Sequence, residues 1–352
     1  MITSKTRYSY NLVRSLTWLW LISILLISST AIAADVSKYD FKKAINVKLL
    51  FHKYSGVNAA DRVRVSQYIR QAQKFLSARP PVTTHIHMFH TKKSNLLAVG
   101  KKHCQILNDS WYKCPSDFKK NSSSRDASAA MGGRLQIPCQ IVLGEDWWDR
   151  RSSDSADQQM LVAAHEYFHC HQGGLAKKFE SRKQFGWPKY RYPNHERGVG
   201  VEGPYWLVEG AASYFAANIG GKKGYVDYET EMRGALDKAR AAVKKGARLE
   251  KYISQKQARV RNDSFEYQGG QWAMAYLAHK RKSNRQVFIN YYRDLAELEQ
   301  AWRKKGKVNY GWQKSFQKNF GITPKAFYKT FHKFMKKPVS KQMSILMAPA
   351  KL

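Results

Sequence analysis

The chain has 352 residues, with 61 Lys and Arg against 26 Asp and Glu, a formal net charge of +35 at pH 7. Apolar residues make up 43% and aromatic residues 13%. That composition excludes a wholly disordered chain and a bare polybasic tail, because neither carries the apolar surface to build a core. After the N-terminal stretch, no apolar run is long enough to cross a bilayer.

In chain order, residues 1–33 come first. Lys5, Arg7 and Arg14 form a basic start without a carboxylate, an apolar stretch runs from about Leu16 to Ile27, and Ala31-Ile32-Ala33 fits a small-x-small cleavage site. The pattern predicts a cleaved signal peptide and a secreted or periplasmic protein. Export would place Cys104, Cys114, Cys139 and Cys170 in an oxidising compartment. Three pairings are open. One joins Cys104 to Cys114 across a short loop and leaves Cys139 for Cys170; two buried free thiols are the alternative.

Residues 34–150 hold all four β-type stretches and read as a smaller mixed lobe. Asn58 to Ala78 has apolar residues at helical spacing and stops before Pro80-Pro81. Val82 to His90 alternates as a strand. Lys119 to Gly133 (KKNSSSRDASAAMGG) reads as a loop from its Ser, Ala and Gly content. Leu135 to Leu143 (LQIPCQIVL) is a β-rich run whose Pro138 removes a ladder donor, which predicts a sheet-edge strand beside a cleft. From about residue 151 to 338 the pattern is helical, and 339–352 is a basic tail. The expected fold is therefore α+β, with a mixed N-terminal lobe and a mainly helical C-terminal lobe.

The most informative stretch is Leu161 to Gly174, LVAAHEYFHCHQGG. It holds His165-Glu166-Tyr167-Phe168-His169, an H-E-x-x-H pattern. Residues four apart share one helix face, so His165 and His169 can bind one zinc ion while Glu166 stands beside them as a general base. Ser155 or Asp154 suits the helix cap. The third histidine of a metzincin would fall on Leu175 and its glycine on Gln172, which excludes that branch. Downstream, Pro204 precedes YWLVEGAASY, an apolar helix whose single carboxylate, Glu209, is expensive to bury without a partner. A metal would be that partner.

HEYFH and WLVEGAASY resemble the zinc helix and glutamate helix of the gluzincin metallopeptidases, the peptidase MA-like group. The resemblance implies that His165, His169 and Glu209 are zinc ligands, that Glu166 is the base, and that the fold is gluzincin-like. Two features depart from it. The connector between the motifs is long, basic and aromatic, and reads as an inserted surface loop near the cleft. The outer-shell Asp that thermolysin-like members place one turn after the glutamate ligand is Ser213 here, so a hydroxyl or a backbone carbonyl must take its role. Phe265 to Gly270 (FEYQGG) resembles the Tyr-x-x-Gly helix of aminopeptidase-type members, which makes Tyr267 the candidate oxyanion donor. His171 and His195 read as surface histidines. Trp312 to Met335 reads as two helices about Gly321, capped by Thr323, with Phe316, Phe320, Phe327, Phe331 and Phe334 as core; this ending also resembles the C-terminal helices of bacterial gluzincins.

The charge predicts attraction to an anionic cell-surface polymer, and no nucleic-acid motif is present. Two functions follow. One is a secreted zinc metallopeptidase acting on a peptide or protein. The other is a non-catalytic or weakly metallated exported protein that binds anionic envelope material. The intact Glu166 favours the first, because a pure binder has no need of a general base.

Overall fold

A computed structural model describes residues 48–76, 83–107, 114–131, 139–151, 155–176, 202–282, 285–304 and 312–349. The stretch read as a signal peptide, Asp154, Pro138, His195 and connector residues 177–201 lie outside them. The fold is mixed α and β, mostly helical, with one small sheet. Among the described residues no helix is long and apolar enough to cross a membrane.

The sheet contains β1 (Leu49–His52), β2 (Thr84–Met88), β3 (Ala127–Met131) and β4 (Cys139–Leu143) in the order β1-β2-β4-β3. β1, β2 and β4 run parallel, and β3 is antiparallel to β4. α1 (Ala59–Phe75) crosses from β1 to β2, and α2 (Leu96–Leu107) and α3 (Cys114–Asn121) lie between β2 and β3. Asn58 caps α1 by accepting from the Asp61 amide at 2.9 Å, and Val65, Ile69 and Ala72 form its buried stripe. The expected helix from Asn58 is thus present.

Two expectations are corrected. β4 is an interior strand, buried at all five positions, and not the sheet edge. Pro138 precedes its first residue, so the missing N–H takes no rung from Cys139–Leu143. Among the described strands the edges are β1 and β3; β3 falls inside the stretch read as a loop together with the end of α3. Small side chains that suggested a loop form a strand instead; among the described residues of that stretch, 122–126 turn, tied by Ser123 N–H and Oγ to the Asp126 carboxylate at 3.0 and 2.8 Å.

The helical part comprises α4 (Ala156–Ala176), α5 (Tyr205–Lys223), α6 (Tyr228–Lys244), α7 (Gln255–Arg261), α8 (Phe265–Lys280), α9 (Gln286–Lys304), α10 (Trp312–Phe320), α11 (Pro324–Met335) and α12 (Val339–Met343). Ser155 caps α4 through the Gln158 amide at 3.2 Å. α4 and α5 are buried on most sides, as internal helices are. α5 crosses α8 at Gly210 and Gly270, where a methyl on either glycine would overlap the other helix's backbone. This contact draws Glu209 and Tyr267 toward one place. Phe316, Phe320, Phe327, Phe331 and Phe334 are all core, as expected, and Thr323 caps α11. The tail is not loose: Gln342 on α12 is fully buried, and Arg285 donates to the Ala348 carbonyl at 2.8 Å.

Cys104 pairs with Cys114, and Cys139 with Cys170; no described cysteine is free. The second bridge ties β4 to α4 one residue beyond His169. It closes a separation of 31 residues. Replacing both Cys139 and Cys170 by Ala is expected to lower unfolding stability by about 2–5 kcal/mol. Urea denaturation of the oxidised protein and the variant measures this, and equal midpoints would show that packing alone holds α4 to the sheet.

Candidate metal centre

α4 brings His165 and His169 onto one face a turn apart, and their Nε2 atoms are 3.0 Å apart. From α5, Glu209 Oε2 lies 3.3 Å from each of them. Donor atoms held about 2.1 Å from one tetrahedral centre are separated by about 3.4 Å. The near-equilateral triangle therefore has the size a metal ion requires. Two imidazoles and one carboxylate also match the donor set of a three-ligand site. Among the described residues, no other group of three His, Cys, Asp or Glu side chains converges in this way.

Burial opposes ionisation of Glu209, but the adjacent His169 and His165 outweigh it and hold its pKa well below the usual carboxylate range. His169 shows the reciprocal effect. Burial works against its charged form, yet Glu209 and Glu166 push it up to about 9. Glu166 is buried, and burial raises its pKa; the two histidines offset this in part, while Glu209 adds to it. Among the described residues its Oε2 has no hydrogen-bond partner. A basic, unsolvated carboxylate oxygen thus stands next to the triangle.

The support for His169 comes from a residue that the sequence reading used only to exclude another family. Gln172 is fully buried, and its Oε1 accepts from His169 Nδ1–H at 2.8 Å. Its amide nitrogen donates to the Val208 carbonyl at 2.9 Å and to the Tyr292 hydroxyl at 2.7 Å. With both amide hydrogens committed, Oε1 must face the imidazole and holds the proton on His169 Nδ1, so Nε2 is the nitrogen that gives up its proton and offers a lone pair when a metal binds. The signal was present: a polar residue three positions after a candidate ligand, on a helix with little exposed surface. Ser213 Oγ lies 3.4 Å from His165 Nδ1, so a hydroxyl occupies the place where a carboxylate was looked for. If the triangle holds a metal, Gln172→Leu is expected to weaken its binding by about 10–100-fold. Competition with a chromogenic chelator reads this, and unchanged affinity would mean that His169 is oriented by other contacts.

These side chains form the floor of a cavity of about 1010 Å³. Ala127, Ser128 and Ala129 of β3 line one wall, and Thr230, Glu231 and Lys238 of α6 line another. Tyr267 enters from α8, its ring 6.0 Å from that of His165. Its hydroxyl is hydrogen-bonded to Tyr205, the first residue of α5, which also bonds Glu209. Burial, then Glu209, pushes Tyr205 up to about 12 and Tyr267 well above the usual phenol range. Both hydroxyls therefore keep their protons and remain donors. The sequence reading named Tyr267 and missed Tyr205, one turn before Glu209 on the same face.

His171 is not a surface residue. It is fully buried, with neither ring nitrogen partnered among the described residues, its ring 5.3 Å from that of Phe168, and it does not line the cavity. It follows His169 by two residues in sequence but lies about 200° around the helix, off the ligand face. No family model, curated protein or solved structure matches the chain.

Proposed function

We propose that the protein is an exported zinc metallopeptidase of gluzincin type, with its cleft between a mixed N-terminal lobe and a helical C-terminal lobe. The observation that carries this reading is the His165–His169–Glu209 triangle with the unpartnered carboxylate of Glu166 beside it in a large cavity. A pure metal store or a structural zinc site has no use for that carboxylate, and a structural site is normally closed by a fourth protein ligand. When bound, zinc would supply Lewis-acid polarisation of the scissile carbonyl and make water more acidic.

The chain's own residues supply the rest. Glu166 takes the proton of the attacking water and passes it to the leaving amine. Tyr267 donates its hydroxyl to Tyr205; rotated from Tyr205 to the substrate, the same O–H would be a donor where charge develops on the carbonyl oxygen. Among the described residues β3 pairs only with β4, and its residues line the cavity. Its free edge can take an extended peptide as an added strand, which aligns a backbone regardless of side chains. This favours a peptide over a compact small molecule.

The test is elemental analysis of the purified protein beside Glu209→Ala. About one zinc per chain in the wild type and a several-fold loss in the variant are expected for a three-ligand site. A folded wild type that takes up no zinc when it is offered would remove the peptidase reading and leave the anionic-envelope binder.

A further inference from the structure

From Gln300 to Leu352 the sequence has 13 Lys and Arg and no Asp or Glu. The structure gathers part of that run onto one surface. On α11, Phe327, Phe331 and Phe334 are buried against the core, and Trp206 of α5 stacks on Phe327 at 5.6 Å. That packing fixes which way the helix faces. Lys325, Lys329 and Lys333 then point outward on successive turns, about 6 Å apart along the axis. Lys336, Lys337 and Lys341 continue the row over the turn into α12, and all six are exposed. None of the six has an ion-pair partner among the described residues, in contrast to Lys318, which meets Asp294 at 2.9 Å. Glu250, whose field reaches this end of α11 at His332, is already paired with Arg248 at 2.6 Å. The backbone beneath the row is held: Arg240 donates to the Lys337 carbonyl at 2.7 Å and to Gln342 Oε1 at 2.6 Å.

We infer that the exposed lysine face of α11 and the start of α12 is a docking surface for a linear anionic polysaccharide, independent of the metal centre. Three features select that partner. The row is long and, among the described residues, unpaired, which suits a polymer with charge repeated along it and not a single small anion. It consists of lysines, point charges on flexible stems, without the guanidinium forks that read planar groups bidentately. Its phenylalanines are turned inward, Tyr328 and His332 are half-buried, and Tyr328 is held by Trp206 Nε1 at 3.2 Å, so it offers no fully exposed ring for stacking bases as single-stranded nucleic acid binders do. It also lacks a wedge for a lipid surface: among the described residues the large exposed apolar side chains are Val63, Leu97 and Val260, none of them on α11 or α12.

The experiment compares the full chain, Lys325→Glu/Lys329→Glu/Lys333→Glu, and a control of equal charge change, Lys92→Glu/Lys93→Glu/Lys101→Glu, whose positions are exposed on the opposite half of the sequence. Affinities for dextran sulfate and polygalacturonate are measured at several salt concentrations, beside a thymidine 30-mer and phosphatidylglycerol vesicles. Thermal melts confirm that each variant is folded. At least a tenfold loss toward a glycan in the α11 variant, against less than threefold in the control, is expected. Loss toward dextran sulfate alone assigns sulfate- or phosphate-bearing chains; loss toward polygalacturonate as well assigns carboxylated ones. Equal losses in the two variants, no loss in the α11 variant, or a loss confined to the oligonucleotide or the vesicles would overturn the inference.

Discussion

Glu166→Gln is expected to lower peptide turnover by about 10²–10⁴-fold, the usual contribution of a positioned general base, while metal content stays at the wild-type level. The two halves of that expectation rest on different atoms. The triangle is made by His165, His169 and Glu209, so exchanging the Glu166 carboxylate for an amide of the same shape leaves all three donors in place. The proton acceptor is lost outright, since an amide cannot take a proton near neutral pH. Folding should not suffer either. The Glu166 carboxylate is buried with one oxygen unpartnered, and a buried unpaired carboxylate is costlier than a buried amide. The variant should therefore melt no lower than the wild type. Activity assays, elemental analysis and melting on one preparation separate the roles. Full activity in Glu166→Gln would remove the residue from the chemistry, and a loss of metal would place it among the ligands.

The parts legible in the sequence are those governed by short-range periodicity. H-E-x-x-H fixes two imidazoles on one helix face, and a lone carboxylate on an apolar helix asks for a buried partner; together they name the triangle without a tertiary structure. The Phe spacing of α10 and α11 likewise reveals a core face. What escaped depends on contacts between distant segments. Gln172 matters because Val208 and Tyr292, from α5 and α9, occupy its amide hydrogens. Tyr205 matters because α5 and α8 approach at Gly210 and Gly270 closely enough to bring it to Tyr267. The exchange of edge and interior strands has a third cause. Composition describes ASAAM and CQIVL separately, but which of them lies outermost is decided by what packs on each face. The core covers β4 on both faces, with Ile141 and Leu143 on the side of α1 and α4 and Val142 on the side of α2 and α3.

That second face carries the other large expected effect: lowering the pH from 7 to 4.5 should cost about 2–3 kcal/mol of stability through His87 alone. His87 is fully buried on β2. Gln140 on β4 donates its amide to the His103 carbonyl at 3.1 Å, so its Oε1 faces His87 and accepts from Nε2–H at 2.7 Å. Nδ1 is left to accept from the Tyr54 hydroxyl at 2.8 Å, which makes the ring neutral in the folded state. His52 stacks on it at 4.5 Å and meets His85 Nδ1 at 2.9 Å with nearly coplanar rings, the geometry of a shared proton. Lys102 and His103 of α2 face the same cluster, and Phe118 of α3 closes over it. Burial, followed by His52 and His103, pushes His87 down to about 2; burial, followed by His85 and Lys102, pushes His52 down to about 4. An unfolded histidine titrates near 6.5. Below that pH the unfolded chain binds protons that the folded one refuses, so stability falls as pH falls, and for His87 it goes on falling toward pH 2. His52 is half exposed and contributes less than its shift suggests, because solvent screens it. Denaturant titrations at pH 7 and 4.5 on chelator-treated protein, so that metal release does not enter, compare the wild type with His87→Gln. The variant lacks the titrating ring and should lose about 2–3 kcal/mol less across the interval; the same loss in both would place the acid-sensitive groups elsewhere.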